Sequence, residues 1–157
     1  MTQKEKEALL KQEKEAILKS IRHWIEDIYM PLCIPGMRIE IDKDRRYFIM
    51  DKIVKWREES THELKELIPD IDHNCPLCEF SALMSYRFNI IYTCFCCPYY
   101  FKYRKACIEH SYNYLANGQH YWEWYRNPCL ATAADMISAL ENLLPENERD
   151  GVYGKKQ

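Results

Sequence analysis

Two short cysteine knuckles hold the residues of this 157-residue chain best placed to do chemistry. Cys75-Pro76-Leu77-Cys78 is followed, after fifteen residues, by Cys94-Phe95-Cys96-Cys97-Pro98. A Cys-x-x-Cys turn lets two sulfurs face one ion, and two such turns supply four thiolates. Zn²⁺ prefers that tetrahedral, all-sulfur set, which closes the site and leaves no position for water. Cys75, Cys78, Cys94 and Cys97 form the simplest ligand set, with Cys96 as a spare thiol packed as a small hydrophobe. Cys107, ten residues beyond Cys97, is an alternative fourth ligand in place of Cys94. His110 lies one helical turn after Cys107 and is an outside candidate, whereas His73 is read as a solvated or supporting residue. Four cysteines equally suit an iron–sulfur cluster, the metallic alternative to structural zinc. The isolated Cys33 and Cys129 are expected to fill the core.

Composition sets the frame for this site. Hydrophobic residues make up 47% of the chain and charged residues 29%, which is globular. A formal charge of -2 gives no general attraction to nucleic acid or anionic lipid, so any basic surface is local. No apolar run reaches the ~20 residues of a membrane span, and the Lys/Glu-rich start lacks the apolar core of an export signal. The expected location is therefore the cytoplasm, where thiols stay reduced and six cysteines bunched between positions 75 and 107 read as ligands rather than disulfides.

The elements that must position the knuckles are mostly helical. Leu10, Ile17, Ile21, Trp24 and Ile28 recur at helical spacing over 4–29, joined by Leu9, Leu18 and Ile25, and Pro31 closes that helix. Its charged first two turns are expected to fray. Met37 to Ile41 alternates as a short strand or link. Helices are predicted from Asp44 to Glu59 and from Thr61 to Leu67, the second opened by Ser60 and Glu63 at capping-box spacing. Asn89 to Thr93 reads as a strand entering the second knuckle. A helix from Arg104 to Ala116 ends at Asn117-Gly118, and a last helix after Pro128 carries the stripe Ala133, Ile137, Leu140 and Leu144. The expected fold is mainly α with a small β zinc-ribbon-like insertion (α+β), helices surrounding a four-cysteine metal site. It divides into an N-terminal amphipathic helix and linker (1–36), a zinc-stapled helical core (37–145) with its knuckles at 75–97, and a disordered tail (146–157).

Catalysis is not expected. The chain has no HExxH helix, Walker loop, GxSxG elbow or GxGxxG turn. Asn74 precedes Cys75, and His62-Glu63 has no spacer, so the zinc-deaminase pattern also fails. The site is read as a staple, and the acting surface as the aromatic segment Tyr121, Trp122, Trp124, Tyr125 and Arg126, residue types favoured at interface centres. A protein partner is expected. The alternative is nucleic acid, with Lys102, Arg104, Lys105 and Arg126 lying among aromatics that stack on bases. The wide stripe of the N-terminal helix offers a further route, to a homo-oligomer.

The order of parts resembles small bacteriophage and prophage zinc-ribbon-like proteins. These carry a Lys-Trp or His-Trp pair, a C-x-L-C knuckle, a C-x-G-C-P knuckle, one further Cys, an aromatic patch and a closing Leu-Leu-Pro. The matching residues are Lys55-Trp56, Cys75 to Cys78, Cys94 to Pro98, Cys107 and Leu143-Leu144-Pro145. The resemblance spans roughly 45–147 and departs at Cys96, where the pattern has Gly. It implies a phage context, with a regulatory, takeover or anti-defence role inside the bacterial host.

Overall fold

The computed structural model describes residues 1–43, 45–54, 59–67, 76–103 and 120–153. The predicted helix at Arg104 to Ala116, Lys55-Trp56, His73, Cys75, Cys107 and His110 lie outside the described residues. The fold is mainly helical with a small antiparallel sheet.

Helix α1 (Gln3–His23) starts on a capping box. The Thr2 hydroxyl accepts from the Glu5 N–H at 3.3 Å, and the Thr2 N–H donates to the Glu5 carboxylate at 2.6 Å. Those bonds hold the Glu5 carboxyl below its ordinary range, and they tie down the charged end that the sequence suggests would fray. The helix then widens into a π-helical stretch, Trp24–Tyr29, before a final turn, α2 (Met30–Leu32). Pro31 supplies the reason: it has no N–H for the carbonyl four residues back, and its ring crowds that carbonyl.

A three-stranded antiparallel meander follows, β1 (Met37–Asp42), β2 (Arg45–Val54) and β3 (Glu59–Leu67), in the order β1-β2-β3. Where they are described, the helices predicted from Asp44 to Glu59 and from Thr61 to Leu67 are therefore strands. β2 pairs with β1 with Ile39 opposite Phe48 and Ile41 opposite Arg46, so alternate residues share a face. Arg46 and Phe48 are buried on that face while Ile49 is buried on the other. A strand buried on both faces loses its period-two signal and mimics a helical stripe. The two-residue connection between β1 and β2 includes Lys43 at φ 53°, as tight hairpin turns require.

The remaining elements are α3 (Pro76–Phe88), a 3-10 turn (Thr93–Cys96), α4 (Pro98–Tyr103), α5 (His120–Arg126), α6 (Leu130–Glu141) and α7 (Glu146–Tyr153). No strand forms at 89–93. Instead Asn89, at φ 55°, ends α3: its N–H bonds the Tyr86 carbonyl at 3.4 Å and the Ile90 N–H reaches back to Ser85 at 2.9 Å. This paired capping pattern needs a left-handed residue, which Asn tolerates. The sheet thus precedes the knuckles in the chain and is not built around them. Residues Glu146–Tyr153, where the sequence suggests a disordered tail, form α7, joined to α1 by a Lys14–Glu148 ion pair at 2.8 Å.

One core unites these parts. Ile17, Ile21, Trp24, Ile28 and Leu32 from the first helical run meet Ala133, Met136, Ile137, Leu140 and Leu144 from α6 and its exit. Tyr99, Tyr121, Trp124, Leu77 and Phe48 complete the cluster. The stripe of α1 is therefore largely used inside the fold, although Leu10 stays exposed. No helix among the described residues is long and apolar enough to cross a membrane.

Candidate functional site

Each knuckle has a distinct local cause. Pro76 opens α3, where a missing N–H costs nothing, and this places Cys78 in the first turn of the helix. The unsatisfied N–H groups of a helix start favour negative charge, so the position suits a thiolate. Ser81, buried one turn later, donates to the Leu77 carbonyl at 2.7 Å and fixes the start of the helix. In the second knuckle the Phe95 N–H bonds the Tyr92 carbonyl at 3.1 Å and the Cys97 N–H bonds the Cys94 carbonyl at 3.0 Å. The Cys97 carbonyl then accepts from Phe101 at 3.1 Å, which starts α4.

α3 packs against the 3-10 turn that carries Cys94 and Cys96. Cys78 and Cys97 are both half-buried and both pack against the main core. Cys94 and Cys96 are half-buried on the turn itself, and burial pushes the Cys96 thiol above its ordinary value. Among the described residues no group of three or more Cys, His, Asp or Glu gathers to hold an ion. Of the cysteines expected as ligands, Cys78, Cys94 and Cys97 are described, while Cys75 and the competing Cys107 lie outside the described residues.

The segment after the second knuckle is anchored firmly. Tyr99 is buried, and its hydroxyl lies 2.7 Å from His120 Nδ1 while the His120 backbone N–H points to the same oxygen at 3.3 Å. If the hydroxyl donates to Nδ1 and accepts from the backbone, both bonds are satisfied and the ring proton sits on Nε2. Burial lowers the His120 pKa below its ordinary value, opposed by Asp135 and Glu123. Tyr103 donates to the Ala139 carbonyl at 2.8 Å, tying α4 to α6.

The aromatic segment divides in two. Tyr121 and Trp124 belong to the core rather than to a binding surface: both are buried, and their rings meet Trp24 edge-on at 5.9 and 5.2 Å. Helical spacing is the reason, since positions three apart on α5 share one face and that face meets the π-helical stretch. Arg126 is exposed, whereas Trp122 and Tyr125 are half-buried, Tyr125 packing against the core. Trp122 stacks on Tyr125 at 5.5 Å and 11°, Arg126 lies over Trp122 at 5.8 Å, and the buried Arg46 lies over Tyr125 at 3.3 Å. The Arg46 guanidinium also donates to the Tyr125 carbonyl, which holds α5 to the sheet. The sequence offered no signal for Arg46, because its role depends on a contact 79 residues away.

The lone cysteines are not core filling. Cys33 is exposed, and Cys129 is the half-exposed N-cap of α6, with its N–H donating to the Thr132 hydroxyl at 3.1 Å. The Thr132 side chain, then its backbone N–H, lowers the Cys129 pKa. No protein-family model, curated protein or solved structure matches this chain.

Proposed function

We propose that this is a phage-encoded, zinc-stapled interaction protein that binds a host or phage protein and does no catalysis. The observation that carries this reading is the half-exposed Arg126–Trp122–Tyr125 stack, backed by Arg46 and mounted on a core that fixes α5. Trp, Tyr and Arg held rigid before binding lose little conformational entropy on association and are the residue types that dominate interface energies. The zinc staple is supported by the shared packing of Cys78 and Cys97 and by the packing of α3 on the 3-10 turn. With zinc bound by Cys75, Cys78, Cys97 and either Cys94 or Cys107, the ion would supply cross-linking and no reaction. The phage setting rests on the resemblance of the knuckle pattern.

Metal analysis with native mass spectrometry tests the staple: one zinc per chain is expected, and broad absorption near about 400 nm would point to an iron–sulfur cluster instead. The interaction reading predicts a stoichiometric protein recovered with the tagged chain from infected cells and lost with the Trp122→Ala, Arg126→Ala double variant. Equal recovery by both chains would sink it. Gel shifts with single-stranded and duplex nucleic acid at two salt concentrations test the nucleic-acid alternative, whose binding should fall steeply with salt.

A further inference from the structure

Eight of the fourteen exposed large hydrophobics among the described residues lie between positions 83 and 101. They run from Leu83 to Phe101 and occupy the outer end of α3, its capping loop, the 3-10 turn and α4. Leu83 and Tyr86 lie three apart on α3, Ile90 follows its Asn89 cap, and Tyr86 and Ile91 are 89% and 102% exposed. Tyr92 meets Phe95 at 4.7 Å, and Phe95 meets Tyr100 at 5.3 Å, so the rings form a continuous cluster on the turn that packs against α3.

From these exposures, and about 200 Å² for a whole residue of this size, the eight residues expose on the order of 900 Å² in total, backbone and hydroxyls included. It is comparable to the ~800 Å² that each partner gives to an interface of standard size.

We infer that this surface is the contact of a symmetric homodimer, a second copy of the chain covering it through the same residues. Charge decides between occupants. From position 80 to 103 the chain has no acidic residue and two basic ones, Arg87 and Lys102. Arg87 lies over the Phe88 ring at 5.7 Å. Two basic groups are few for a phosphate backbone or an acidic protein. With so few charges, the patch meets its own image with little repulsion. This contact is separate from the Trp122 face, and it replaces the N-terminal helix as the route to self-association because most of that helix's stripe is internal.

Sedimentation of the full chain at about 1 and 100 µM tests the inference. A dimer of twice the 19.0 kDa chain mass is expected at the higher concentration. Ile91→Glu and, separately, Tyr86→Glu should each lower the association constant at least about tenfold with an unchanged circular dichroism spectrum, because both side chains are exposed in the single chain. Leu10→Glu on α1 should leave the dimer intact. A monomer at 100 µM overturns the inference, as does loss of the dimer in Leu10→Glu but not in the other two. A monomer that binds a thymidine oligomer, with binding lost in Ile91→Glu, would reassign the surface to nucleic acid.

Discussion

The indole of Trp24 meets the indole of Trp124 edge-on, with ring centroids 5.2 Å apart and planes at 86°. Both are fully buried, and this contact joins the π-helical stretch of the first helical run to α5. Edge-to-face pairs of this kind add about 0.5–1.5 kcal/mol beyond the area they bury.

Trp124→Ala should therefore cost about 3–5 kcal/mol in urea unfolding, the range for emptying a large aromatic site. Neither indole N–H has a hydrogen-bond partner among the described residues. Trp124→Phe should accordingly cost clearly less, because it removes that donor while keeping a ring. Trp122→Ala, two residues away but on the half-exposed face, should change stability by under about 1 kcal/mol.

Zinc content should separate the cysteines. Cys78→Ser and Cys97→Ser should each lower bound zinc well below one per chain and reduce the melting temperature. Cys33→Ser and Cys129→Ser should leave zinc unchanged, since one is exposed and the other caps α6. Metal analysis of the four purified variants reads the outcome.

His120 should make stability depend on pH. Its folded-state pKa is lowered from 6.5 by burial, so the fold prefers the neutral ring that accepts from Tyr99. The contribution is complete above about pH 6.5 and is lost as pH falls from there through the lowered folded value. Melting temperature should decline between about pH 7 and 5, and His120→Gln should flatten that part of the profile. An unchanged slope in the variant would assign the decline to other groups.

Cys129 should react at lower pH than Cys33. The Thr132 contacts lower its pKa, and the thiolate is the reacting species. Peptide mapping after brief iodoacetamide treatment at about pH 7 should show Cys129 labelled first despite its smaller exposure. Thr132→Val should slow that labelling and destabilise the chain by about 1 kcal/mol, through loss of the hydroxyl bonds to Cys129 and Asn127.

The long helices at both ends were legible in the sequence because helix formation there follows a local period. Ile17, Ile21, Trp24 and Ile28, like Ala133, Ile137, Leu140 and Leu144, bury the stripe that their spacing describes. The two closely spaced cysteine pairs were equally plain in the sequence, and the metal they would hold remains a proposal. Tertiary structure decided what local period does not encode. β2 became a strand because β1 and β3 pair with it and both of its faces bury side chains, which erases the alternation. Tyr121 and Trp124 went inside and Trp122 stayed half-exposed because α5 turns one face toward Trp24. The second knuckle is a turn, as its spacing implies, but the strand expected between the knuckles gave way to an Asn89 helix cap. That cap carries Ile90 and Ile91 outward, so the most exposed apolar surface of the described chain lies beside the cysteines.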